Sequence, residues 1–103
     1  MNFPPDWDDV TCISHMQRKI LFCSISYYHF DESPIDDYVY DCWSHALARM
    51  MKECPDVAES RYYYVFYDFE GSTGYHLYSR LTEEDKYFFI RNIQIYREEK
   101  HLV

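Results

Sequence analysis

Apolar residues recur along this chain at two spacings. Ile35, Tyr38, Val39, Cys42, Trp43, Ala46, Leu47, Met50, Met51 and Cys54 follow i, i+3, i+4, i+7 through five turns, which predicts an amphipathic helix. Ser33 as a cap, Pro34 as first helical residue and Asp36 as the acid of an S-x-x-D capping box mark its start, and Pro55 ends it. Its polar face carries Asp36, Asp37, Tyr40, Asp41, Ser44 and His45. A second helix is expected to open at Thr82, a cap for a first turn that contains Glu83, Glu84 and Asp85. Phe89, Ile90, Ile93 and Tyr96 form its inner stripe, with Phe88 and Ile95 at the flank.

Elsewhere the spacing is two. In "RKILFCSISYY" (18–28) Leu21, Cys23, Ile25 and Tyr27 alternate with a more polar set that includes Ser24 and Ser26, which predicts a strand. "RYYYVFYDFEG" (61–71) predicts a second strand over 61–69, with Tyr63, Val65, Tyr67 and Phe69 turned inward. "EGSTG" (70–74) holds both glycines of the chain and reads as a hairpin loop, returning through "YHLYSRL" (75–81) as the antiparallel partner. The expected fold is therefore α+β: a β-α-β-β-α two-layer sandwich, with a three-stranded mixed sheet and both helices on one face. Residues 1–17, with a Pro-Pro pair, three aspartates and no clean period, read as an N-terminal acidic arm docked by Phe3 and Trp7. Residues 18–103 make the single domain.

Charge narrows the function. The formal net charge is -8, and basic residues are outnumbered 10 to 18. Residues 1–60 carry eleven acids against four bases, and 61–103 seven against six. Neutralising phosphates needs clustered Lys and Arg, so no direct nucleic-acid partner is expected. An acidic domain of this size meets a basic protein surface or stays soluble through its charge. Cys12, Cys23, Cys42 and Cys54 show no CxxC pair and are expected to be small buried hydrophobes in a reducing, cytoplasmic setting. No stretch approaches the apolar length of a membrane span, and the run at 20–28 lacks the flanks of a signal peptide. His15, His29, His45, His76 and His101 are scattered without ligand spacing, and two glycines cannot build a phosphate-cradling loop. No catalytic constellation, metal site or cofactor is implied, so a non-enzymatic role is expected.

The sandwich would leave its second sheet face open. Tyr62, Tyr64, Phe66 and Tyr78 would then lie there beside His76 and Arg80, as a candidate interface for a partner or for a homodimer.

From residue 18 onward the chain resembles the DNA-damage-inducible protein I (DinI) family. "ARMMKECPD" (48–56) matches the family's helix ending in Pro-Asp, and "RLTEEDK" (80–86) matches its Thr-x-Glu-Asp-Lys opening of the last helix. The resemblance covers roughly 80 residues in element order and apolar register. It implies a regulator without catalytic activity that binds the RecA recombinase filament in the SOS response. Carried over by position, Glu84, Asp85, Glu98 and Glu99 would be its contacts. A second expectation follows from the acid on the arm and first helix. It is a phage-encoded acidic inhibitor or DNA mimic acting on a host nuclease or defence system, using Asp6, Asp8, Asp9, Asp36, Asp37 and Asp41. An aromatic-sheet dimer module is the third.

Overall fold

Helices account for every regular element of the described residues, and no strand is found among them. The computed structural model describes residues 3–72 and 74–101, the side chain of His101 excepted. Helix α1 spans Asp9–Phe30 and α2 spans Asp37–Glu53. A 3₁₀ turn at Val57–Glu59 and two single-turn helices follow, α3 (Tyr63–Phe66) and α4 (Leu77–Arg80), before α5 (Glu83–His101). The expected α+β sandwich is thus overturned, and with it the fold that the DinI resemblance implied.

Helix α1 explains most of the difference. Asp8 caps it, its Oδ1 accepting the Thr11 N–H at 2.8 Å, and Asp9 follows in the positive first turn. It ends where Asp31 takes a left-handed backbone (φ 53°), a conformation that a short polar side chain tolerates. Between these caps α1 packs against α2, α4, α5 and the 3₁₀ turn, so it is enclosed on several sides. From Ile20 to Ser26 only Phe22 keeps partial exposure. The alternation of Leu21, Cys23 and Ile25 is a subset of that continuous run. Ser24 and Ser26, the polar set of the expected strand, are buried, small side chains that allow neighbours to approach.

The arm and the domain share this helix. The division at 17/18 falls inside α1, and Ile13 and Met16 are core residues with no exposed surface. Phe3 and Trp7 do dock, stacking at 6.1 Å and lying against His15.

The second strand is also corrected. Tyr62, Val65 and Phe66 are the buried residues of 61–69, and their i, i+3, i+4 spacing is that of one helical turn. The Val65 and Phe66 N–H groups both return to the Tyr62 carbonyl, at 2.9 and 3.1 Å. Leu77 and Leu81 are likewise buried one turn apart, which replaces the return strand. The glycine loop is no hairpin, and Thr73 within it lies outside the described residues.

The two predicted helices are present. Asp36 rather than Ser33 caps α2, accepting the Val39 N–H at 2.9 Å, so the helix starts at Asp37. Its buried face runs through Ser44, Leu47 and Met51, leaving Tyr38 and Cys42 exposed. Thr82 caps α5 as read, its Oγ1 accepting the Asp85 N–H at 3.1 Å, and Phe89 and Ile93 form the buried stripe.

Of the four thiols only Cys42 is exposed. Burial pushes Cys23 up to about 11, and burial followed by Asp9 and Asp8 raises Cys12. A thiolate-selective reagent at neutral pH is therefore expected to label Cys42 alone in the native protein, and all four cysteines in denaturant. Mass mapping after limited reaction checks this.

Candidate functional site: an acidic, tyrosine-lined cleft

The cleft forms where α1 ends and α2 begins. Cys23, Ser24, Tyr27 and Tyr28 from the last turns of α1 make one wall. Asp37, Tyr40, Asp41 and His45 from the first turns of α2 make the other. The intervening linker (Ser33, Pro34, Ile35) and the loop at Gly71 and Ser72 complete it, around about 460 Å³.

Close backbone approach seats that loop. Gly71 has φ +88°, and a Cβ there would stand 2.7 Å from His45 Cδ2. A Cβ at Gly74 would stand 2.5 Å from the Tyr40 hydroxyl and 2.9 Å from Ser24 Cβ. Gly71 and Gly74 thus lie close against the seam between α1 and α2.

The aromatic part is an edge-to-face chain of rings: Tyr27 on Tyr28 at 4.9 Å, and Tyr28 on Tyr75 at 5.4 Å. All three are exposed, with Tyr75 at 73%. Tyr40 differs. Its hydroxyl is buried beside the Ser44 hydroxyl, and among the described residues neither makes a hydrogen bond of ordinary geometry. Burial pushes the Tyr40 phenol up to about 12, against a smaller opposite influence of Ser44. Tyr40 is therefore a neutral hydroxyl across the physiological range.

The acidic part is open. Asp37 and Asp41 are exposed, one turn apart on α2, and neither enters an ion pair among the described residues. No Lys or Arg lines the cleft. A larger groove of about 680 Å³ runs beside the C-terminal half of α2, but its lining balances Arg49 and Lys52 with Asp68 and Glu70.

The predicted site residues scatter over the molecule. Asp37 and Asp41 meet in the cleft, whereas the Asp36 carboxylate is engaged in capping α2. Glu84, Glu98 and Glu99 are exposed on α5, but Asp85 is 6% exposed and bound internally. Arg61 Nη2 donates to its Oδ1 at 2.7 Å and the Tyr64 hydroxyl to its Oδ2. The sheet-face interface is not available, because Tyr62 and Phe66 are core residues and the sheet is absent. Tyr64 is held against Asp85, and Tyr78 is half-buried with its ring 4.1 Å from that of His29. The tyrosines of the cleft do not stand out as site residues in a strand reading of 18–28. Their signal is "SYYHF", a polar-rimmed aromatic pair just past the last buried turn of α1, legible only once 18–30 is read as a helix.

Among the described residues no group of three or more His, Cys, Asp or Glu is placed to hold a metal ion, and no helix is long and apolar enough to cross a membrane. Compared with protein-family models, with curated proteins and with solved structures, the chain matches none of them.

Proposed function

We propose that this protein is a small acidic binding protein that captures a basic segment of a partner protein, with the α1–α2 cleft as its binding face. The observation that carries the proposal is the pair Asp37 and Asp41, which line a tyrosine-walled cleft free of lysine and arginine. Asp68 is paired with Arg80, Glu83 with Lys86 and Glu32 with Arg97, whereas Asp37 and Asp41 enter no ion pair among the described residues. A net charge of -8 extends the attraction beyond the cleft and favours fast encounter with a cationic surface. This reading corresponds to the acidic-inhibitor expectation, narrowed to Asp37 and Asp41 of α2.

A fluorescein-labelled dodecapeptide of mixed Lys and Arg, followed by anisotropy, tests the proposal. Binding is expected at low salt and should weaken steeply toward 0.5 M salt, where the screening length falls to only a few Å. A matched acidic peptide should not bind. Asp37→Asn with Asp41→Asn should weaken the basic peptide by about tenfold or more, the equivalent of losing charge-assisted contacts. Unchanged binding by the double variant would show the face to be wrong.

A further inference from the structure

One face of α5 stays open. The helix packs against α1 and buries Phe89 and Ile93. On its opposite side Glu84, Phe88, Arg91, Ile95 and Glu98 follow one another at alternating steps of four and three residues, the spacing of a seam between two helices. Phe88 and Ile95 are 41% and 38% exposed there. Arg91, Glu98 and Glu99 are exposed and enter no ion pair among the described residues. Arg18 of α1, also outside every such pair, lies over the Phe88 ring at 5.9 Å. The face from 87 to 99 is therefore basic in its first half, through Arg18 and Arg91, and acidic in its second, through Glu98 and Glu99. These charges cancel, on a chain whose formal net charge is -8. Each half also holds one apolar side chain of the seam.

We propose that this face joins two copies of the chain, their α5 helices antiparallel about a two-fold axis that crosses between Arg91 and Ile95. Arg91 then stands level with the second copy's Ile95. The second copy's Glu98 lies about 4.5 Å further along the helix, within reach of the Arg91 guanidinium. Phe88 stands level with that same Glu98, which brings Arg18 to it from the other side and sets Phe88 beside the second copy's Ile95. Every contact occurs twice, because a two-fold interface uses one patch on both copies. A parallel pair would oppose Arg91 to Arg91 and Glu98 to Glu98, and like charges set against each other are costly. The self-complementary order of charge is what names a second copy as the occupant. Neutrality of the face matters equally, since strongly acidic surfaces hold copies apart. The contact is one helix of 19 residues, roughly 28 Å long, so the association belongs to the weak class. It leaves the α1–α2 cleft free and does not depend on the binding proposed there.

Sedimentation velocity of the full chain, from about 10 µM to about 1 mM at roughly physiological salt, tests the proposal. The sedimentation coefficient is expected to rise with concentration toward that of a dimer. Arg91→Glu and Glu98→Arg, each made alone, should weaken self-association by about tenfold or more, since each sets like charges across the axis. Mixed one to one, the two variants should regain the association, because residues 91 and 98 of each copy then face the opposite charge. Both positions are exposed and unpaired, so both variants should melt at the parental temperature. A parent that stays monomeric throughout the range would overturn the proposal and leave the face to a different partner. Self-association that survives either charge reversal unchanged would also overturn it, by placing the contact elsewhere. So would a mixture of the two variants that stays as weakly associated as each alone.

Discussion

Replacing Gln17 with alanine is expected to destabilise the protein by about 3–4 kcal/mol, the largest effect of any polar substitution in it. Gln17 lies at mid-α1 with no exposed surface. Its Nε2 donates to Ser60 Oγ and its Oε1 accepts the Tyr62 N–H, both at 3.0 Å. One turn earlier, Ser14 Oγ accepts the Arg61 N–H at 2.9 Å. Two side chains of α1 therefore hold the Ser60 hydroxyl and the backbone N–H groups of Arg61 and Tyr62, where the chain turns into α3 and commits Tyr62, Val65 and Phe66 to the core. Alanine leaves the Tyr62 N–H buried without a partner, at a cost of about 1–3 kcal/mol, and adds a cavity where the amide stood. Gln17→Leu keeps the volume and loses only the bonds, so it should cost about 2 kcal/mol. Urea unfolding followed by far-ultraviolet circular dichroism separates the two. A loss below about 1 kcal/mol for alanine would mean that the 60–62 turn is held by its own contacts.

What the chain discloses about its fold depends on how many sides each helix buries. Helices α2 and α5 are packed on one side, so their apolar positions keep a 3.6-residue period and both are legible. Helix α1 is enclosed by several neighbours, and its run from Ile20 to Ser26 loses any single stripe. Periodicity cannot then separate a buried helix from a buried strand. Its start is signalled by Asp8 as cap and Asp9 in the first turn, a pair that in sequence is indistinguishable from an acidic arm. Single turns such as α3 and α4 are too short to display a period, and tyrosine-rich composition favours a strand wherever packing does not decide. Once 61–69 is a helical turn, parity has no meaning there. Phe66 passes from a presumed outer face to full burial.

The candidate site was legible by halves for the same reason. Asp37 and Asp41 stand out on the polar face of α2 because that helix is one-sided. A strand reading of α1 turns Tyr27 inward, and Tyr40, on the polar face of α2, has its hydroxyl buried against Gly74. Two glycines that suggested a hairpin instead serve close approach, a distinction that local turn chemistry does not carry.

Asp85→Ala is expected to cost about 2–3 kcal/mol, and its fate decides how the acid of α5 is to be understood. The carboxylate receives Arg61 Nη2 at 2.7 Å and the Tyr64 hydroxyl. Tyr64 Oη in turn accepts the Thr82 N–H at 3.3 Å, and Thr82 caps the Asp85 N–H, so four residues tie the 61–64 segment to the start of α5. The loss should stay below the 3–5 kcal/mol roughly typical of breaking a fully buried pair, because the Arg61 side chain is 52% exposed and water can rehydrate it. Burial alone would raise the pKa of Asp85. The hydrogen bonds from Tyr64 and Arg61, with the charge of Arg61, outweigh it and hold the carboxyl below its ordinary range. A depressed folded-state pKa contributes stability above the unfolded value of about 3.9 and loses it as pH falls through the folded value. The unfolding free energy of the parent should therefore drop on acidification from about pH 4 downward, and that of Asp85→Ala should drop less. Asp8 and Asp68, also depressed, titrate in both proteins, so the difference between the two curves isolates Asp85. At neutral pH, where the variant remains folded, its affinity for the basic dodecapeptide should equal that of the parent. A variant of parental stability and lost affinity would make Asp85 a partner contact after all, and would move the binding face from the α1–α2 cleft to α5.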